Sequence, residues 1–118
     1  MGIFQRISAT PDQLRAQEIR RFCSAVSGVQ QIAECRARTR PRIVGVVQSI
    51  MVDPRTAPAT LRIQIYDGTD EITGVWYGRR EIPGIALGRP LMMEGTVRKN
   101  PNGTLEIMNP AYALVPGD

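Results

Sequence analysis

Two clusters of side chains carry chemistry that their spacing makes usable. WYGRR, Trp76 to Arg80, sets a glycine and two guanidiniums directly after two aromatic rings. A guanidinium pairs phosphate bidentately and also stacks on rings, and an aromatic face that takes a base contributes about 1–3 kcal/mol. RARTRPR places Arg36, Arg38, Arg40 and Arg42 at every second position. In an extended strand the four would project from one side at intervals of about 6–7 Å, close to the phosphate repeat of an extended nucleic-acid strand. Each cluster also has a plainer reading. Glu81 can neutralise one guanidinium of WYGRR in a surface ion pair of little worth, and a row of arginines keeps an edge strand soluble.

The rest of the inventory mostly removes chemistry. The chain has no histidine, which excludes a His general base, a Ser/His or Cys/His nucleophile pair and every His-containing metal site. Cys23 and Cys35 form no CxxC, and two thiols make neither a zinc site nor a disulfide framework, so a reduced cytoplasm is the expected location. Asp53, Asp67, Asp70 and Glu71 sit at turns or strand ends, and DGTD reads as hairpin geometry rather than Mg²⁺ ligation. The expectation is a protein that is not an enzyme and needs no metal or cofactor. The richest apolar run, IVGVVQSIMV, is interrupted by Gln48 and Ser49 and falls short of the roughly 20 residues a membrane helix needs. MGIFQR lacks the apolar segment of a signal peptide.

The elements that must position the two clusters follow from periodicity. Ile19, Phe22, Cys23 and Val26 fall on one helical stripe, and Thr10, Pro11 and Gln13 form a start signal, predicting a helix over about 11–26 that stops at Ser27 and Gly28. VQQIAEC then fits either a short helix or an extended lead-in. From residue 40 the period becomes 2, and five strands are predicted: 42–52, with Gly45 free to bend or bulge, 61–66, 71–77, 91–99 and 104–108. In the second, Leu61, Ile63 and Ile65 face the core while Arg62, Gln64 and Tyr66 face water. Asp67 to Asp70 joins the second and third strands as a hairpin, NPNG joins the fourth and fifth, and residues 109–118 read as a tail. GRREIPGIALG breaks the pattern as a compact loop or helical turn.

Three strands, an interruption and a two-strand hairpin give the element order of the OB-fold. The predicted class is therefore all-β with an N-terminal helix, a five-stranded OB-fold Greek-key barrel over 36–118 behind a helical extension, 1–35. A small SH3-like barrel also has five strands, but the ten-residue break before strand four has a natural place only in the OB order. An OB site uses the exposed face of strands two and three between the loop after strand one and the loop between strands four and five. On that face lie Arg62, Gln64 and Tyr66, with Arg55 on one wall and Arg98 and Lys99 on the other. Trp76 and Tyr77 are adjacent, so one is core and the other available, and alternation alone does not decide because Gly74 blurs the apolar face. Arg79 and Arg80 follow.

At VVQSI, LRIQIYDGTDEITGVWYGRREIPGI, GRPLMMEGTV and LEIMNPAY the chain resembles the small stand-alone OB-fold nucleic-acid-binding proteins of actinobacterial type, themselves similar to the wedge domain of RecG-type branch-migration helicases. The likeness runs over about residues 28–114, and its most specific parts are Asp67 to Thr69, Trp76, Gly78 to Ile85 and the NPxY of Asn109 to Tyr112. Asp70, where many OB hairpins have glycine, and Gly74, where a bulkier apolar residue is usual, depart from the wider pattern. The resemblance implies a non-catalytic domain that binds single-stranded or branched DNA, with RNA as a further possibility. The rival from another class is a protein-interaction or self-association module using the barrel or the helix; a helix lying across the groove between the two loops would favour it. An oligosaccharide site would favour acids over paired arginines.

Fifteen Lys and Arg against eleven Asp and Glu give +4, with 42% hydrophobic residues, enough for one core. Outside the four arginines of 36–42, the stretch 36–118 holds seven cations and eight acids. Basicity is a stripe rather than a coat.

Overall fold

The computed structural model describes residues 12–55 and 58–116. Among these residues the chain is mostly β with one N-terminal helix, α1 (Asp12–Ser24), followed by a 3₁₀ turn (Ile32–Glu34) and seven strands. These are β1 (Arg42–Asp53), β2 (Thr60–Tyr66), β3 (Glu71–Tyr77), β4 (Pro90–Glu94), β5 (Val97–Lys99), β6 (Leu105–Met108) and β7 (Ala111–Leu114). The start signal at Thr10 and Pro11 lies outside the described residues.

One sheet holds all seven strands in the order β5-β6-β3-β2-β1-β4-β7. β1 is shared: residues 42–46 pair with β4 and residues 46–53 with β2, both antiparallel. A register shift between Val47 and Ser49 marks a bulge, which bends and twists a strand enough to serve two neighbours. Gly45 permits the crossing, since a Cβ there would stand 2.9 Å from both Ile65 Cβ and Tyr66 N. β2 and β3 form the expected hairpin, and β3 pairs in parallel with β6. Only Gly95 and Thr96 separate β4, near one end of the order, from β5 at the other. The sheet therefore curls on itself, consistent with an OB-like fold.

Seven strands replace the five expected, for two reasons. The predicted fourth strand leaves β1 and joins β6 partway along, breaking at Gly95, where a Cβ would come within 2.7 Å of Ile107 Cγ2. The tail adds β7 alongside β4; four largely exposed residues between two prolines have no alternation to announce them.

The core fills the inside of the curl with Ile43, Leu61, Ile63, Ile65, Ile72, Trp76, Leu91, Met93, Val97 and Ile107. Ile32 and Cys35 also belong to it, so the barrel reaches back past residue 36. Ile32 is fastened by the Asp67 carboxylate, which accepts N–H bonds from Ile32 at 2.9 Å, Thr69 at 2.9 Å and Asp70 at 3.2 Å, and Cys35 N–H donates to Ile32 O at 3.0 Å. α1 lies outside the barrel against β1 and the turn after β2, with Gly68 so close that a Cβ would meet Arg20 Cβ at 2.5 Å. Cys23 and Val44 are buried there, apart from the main core.

Candidate nucleic-acid interface

Alternation along β2 turns Arg62 and Gln64 outward, and beside them lie Ser49 and Met51 of β1 and Thr73 of β3. The turn joining β5 to β6 rises as a wall, and together these residues line a groove of about 560 Å³. The wall is built by Asn100, whose Oδ1 accepts N–H bonds from Asn102 at 3.1 Å and Thr104 at 3.3 Å. Among the described residues, none of α1 lines this groove, so the described helix does not lie across it.

At the groove sits a carboxylate that alternation alone does not single out. Glu106 is buried, with its side chain 6% exposed, and its two oxygens take three donors. Arg62 Nη1 donates at 2.7 Å and Asn100 Nδ2 at 3.2 Å to Oε2, and Arg98 Nη2 donates at 3.4 Å to Oε1. Burial pushes the Glu106 carboxyl up, but the Arg62 and Asn100 hydrogen bonds, the Arg62 charge and the Arg98 hydrogen bond outweigh it and hold the acid below its ordinary range. The arginines remain 40% and 51% exposed at their side chains. The place of Glu106 between Leu105 and Ile107 hints at an outward acid; the parallel pairing with β3 that brings it beside Arg62 is a long-range fact.

The structure divides the predicted site. Arg62 and Gln64 line the groove, where Gln64 Nε2 donates to Glu71 at 3.2 Å; Arg98 lies outside the lining and reaches it only through its bond to Glu106. Tyr66 is half-buried at one end of β2, and Lys99 is exposed beside the hairpin turn. Arg55 is paired with Asp53 at 3.0 Å on the other loop; its hydrogen bonds lower the Asp53 carboxyl and raise the guanidinium.

Trp76 must be withdrawn as a stacking residue. It is 5% exposed, its ring occupies the space over Gly74, and its Nε1–H donates to Pro110 O at 3.1 Å. Tyr77 is the accessible member of the pair, half exposed at the end of β3. Arg79 is engaged with Tyr112, its guanidinium carbon 5.6 Å from the ring centroid and Nη1 donating to the hydroxyl at 3.2 Å. Tyr112 in turn meets Trp76 edge-on at 6.1 Å. The NPxY segment thus braces the barrel, Asn109 accepting the Tyr77 N–H at 3.1 Å. Arg80 is exposed, and residues 76–80 do not line the groove.

The row of four arginines is also corrected. Residues 36–41 form a turn rather than an extended strand. Thr39 N–H and Oγ1 bond back to Arg36 O, and Arg38 takes a left-handed φ of 73°. Pro41 follows, and only Arg42 enters β1, where it pairs with Glu94 at 3.2 Å. Arg36, Arg38 and Arg40 are exposed and, among the described residues, form no ion pair. Their loop runs beside β5, Arg38 N–H donating to Val97 O at 2.8 Å and Val97 N–H to Thr39 O at 2.9 Å. Cations therefore continue past the groove's hairpin wall.

A second hollow of about 420 Å³ lies between α1 and the barrel, near Cys23 and Asp67, where one Asp67 oxygen takes the turn's Thr69 and Asp70 N–H groups and the other takes that of Ile32. Among the described residues no cluster of acidic or thiol side chains is arranged to hold a metal, and no helix is long and apolar enough to cross a membrane.

No family model and no curated protein matches this chain. Solved structures do. A chain of a replication protein A heterotrimer bound to single-stranded DNA matches with a TM-score of 0.53 at 18% identity, over 75% of this chain and 73% of that one. RecG bound to a three-way DNA junction matches with a TM-score of 0.59 at 13% identity, over 99% of this chain and 20% of that one. A structure described as structural mimicry for functional antagonism matches at 0.56 and 20% identity, over 72% of this chain. The chain spans under half of that last relative and a fifth of RecG. At such identities the likeness shows a shared OB-like fold.

Proposed function

We propose that this chain is a five-stranded OB barrel, extended by α1 and β7, that binds single-stranded or branched DNA without catalysis and largely without reading sequence. The observation that carries this is the groove on the outer face of β1 to β3, where Arg62 reaches solvent beside a polar hairpin wall, and Arg98, partly exposed on β5, is bonded to the Glu106 that lines it. Guanidiniums contact phosphates irrespective of base, and Met51, 57% exposed, with Tyr77 at the sheet end gives bases apolar surface. Likeness to proteins solved with single-stranded DNA and with a DNA junction supports the reading, as does the resemblance to actinobacterial-type OB proteins. A place in DNA repair or recombination, in a reducing cytoplasm, fits this chemistry.

The test is a fluorescence-anisotropy titration with labelled single-stranded, forked and duplex DNA and single-stranded RNA at about 50 and 200 mM salt. Binding of single-stranded or forked DNA that weakens steeply with salt is expected. No binding at the lower salt, or affinity indifferent to salt, would sink the proposal.

A further inference from the structure

We infer that Glu106 is a positioning residue, a buried carboxylate that holds Arg62 and Arg98 as a preset pair for two phosphates of the bound strand. This rests on the nucleic-acid reading of the groove. On charge alone an acid at an anion site is unfavourable, because it cancels one of the two guanidiniums beside it. Burying it adds a desolvation cost that only well-made hydrogen bonds offset. The geometry supplies them: Arg62 at 2.7 Å and Asn100 at 3.2 Å on one oxygen, Arg98 at 3.4 Å on the other. What the arrangement gains is order. A free arginine loses rotamer freedom when a ligand fixes it, and two arginines already fixed before the strand arrives lose much less at that moment. Asn100 ties the same carboxylate to the hairpin turn through the Oδ1 bonds to Asn102 and Thr104. Floor and wall thus form one hydrogen-bonded unit, and Glu106 is its centre.

The sign of one substitution separates this role from simple charge cancellation. Glu106→Gln keeps the shape and removes the charge, moving the net charge from +4 to +5. If the carboxylate merely repelled phosphate, the variant would bind tighter. If it positions the pair, binding of a labelled thymidine strand of about 15 nucleotides weakens about tenfold at about 50 mM salt, and the salt slope falls by about 0.7 for each phosphate that the pair no longer neutralises. A thermal unfolding scan accompanies each variant. If Glu106→Gln does not fold, Arg62→Ala, Arg98→Ala and their double variant decide. Both side chains are partly exposed, and a pair acting as a unit gives a double loss smaller than the sum of the single losses, whereas independent arginines add. Additive losses, or a folded Glu106→Gln that binds as well as the parent or better, overturn the inference while leaving the groove reading intact. Failure of the parent chain to bind any strand removes both.

Discussion

Arg38 is the residue whose backbone asks for an explanation. A left-handed φ of 73° costs a side-chain-bearing residue about 1 kcal/mol, and glycine is the usual occupant. Arg38→Gly is expected to stabilise the fold by about 0.5–1 kcal/mol, a rise in Tm of a few degrees. If the side chain contacts phosphate, the same variant binds single-stranded DNA more weakly, so scanning fluorimetry and anisotropy should move in opposite directions; affinity unchanged beside a higher Tm would make Arg38 an ordinary turn residue. Two further expectations belong to single groups. Burial, followed by the Asp67 charge, pushes the Cys23 and Cys35 thiols up to about 11, so neither should react with a thiol reagent at about pH 8 until denaturant is added. The Glu106 carboxyl is held below its ordinary value. Its contribution to stability is therefore complete above the unfolded glutamate range near 4 and is lost as pH falls through the lower folded value. Urea midpoints of Glu106→Gln and the parent should accordingly converge toward acid, and a constant gap from about pH 6 to about pH 3 would contradict that linkage. At this scale the sequence is informative about type but not about company. Arg62 reads as outward from alternation, and Cys23 as core from its stripe; that Arg62 faces Glu106 across a parallel pairing depends on residues 44 positions apart.

Among the elements, β3 shows why local pattern stops short. Gly74 blurs its apolar face because the apolar group there belongs to another residue: the ring of Trp76 folds over the glycine, 2.9 Å from where a Cβ would stand, with Met93 Sδ at 2.5 Å. Gly74→Ala should therefore overpack the core and cost about 1–3 kcal/mol, read as a lower urea midpoint, whereas an unchanged midpoint would mean that the ring moves freely. The hairpins are legible because their turns carry their own chemistry, Asp67 capping one and Asn100 the other. The split of the fourth strand and the addition of β7 are not, since both arise from which neighbour a segment pairs with. The arginine row fails for a related reason: alternate spacing gives one-sided projection only in an extended chain, and the turn at Thr39, bonded to Val97, replaces that chain.

For the whole molecule the question is whether net charge or its placement governs binding. The +4 of the chain is unevenly free: Arg42, Arg55, Arg62 and Arg98 are paired to acids, while Arg36, Arg38 and Arg40 in the loop beside β5 and Lys99 at its end form no ion pair among the described residues. Arg15, Arg20 and Arg21 lie on α1, which packs against β1 away from the groove lining. Two triple variants isolate the variable, because changing either Arg36, Arg38 and Arg40 or Arg15, Arg20 and Arg21 to alanine takes the net charge from +4 to +1. If strands are held by general attraction, both variants weaken equally. If the cations beside the hairpin carry the strand past the groove, the first triple lowers the salt slope by about 2, near 0.7 for each phosphate no longer neutralised. The helix triple should then leave that slope close to the parent's. Equal slopes for the two variants would return the protein to the status of a generally basic surface, whereas unequal ones would locate its ligand along β5 and the groove.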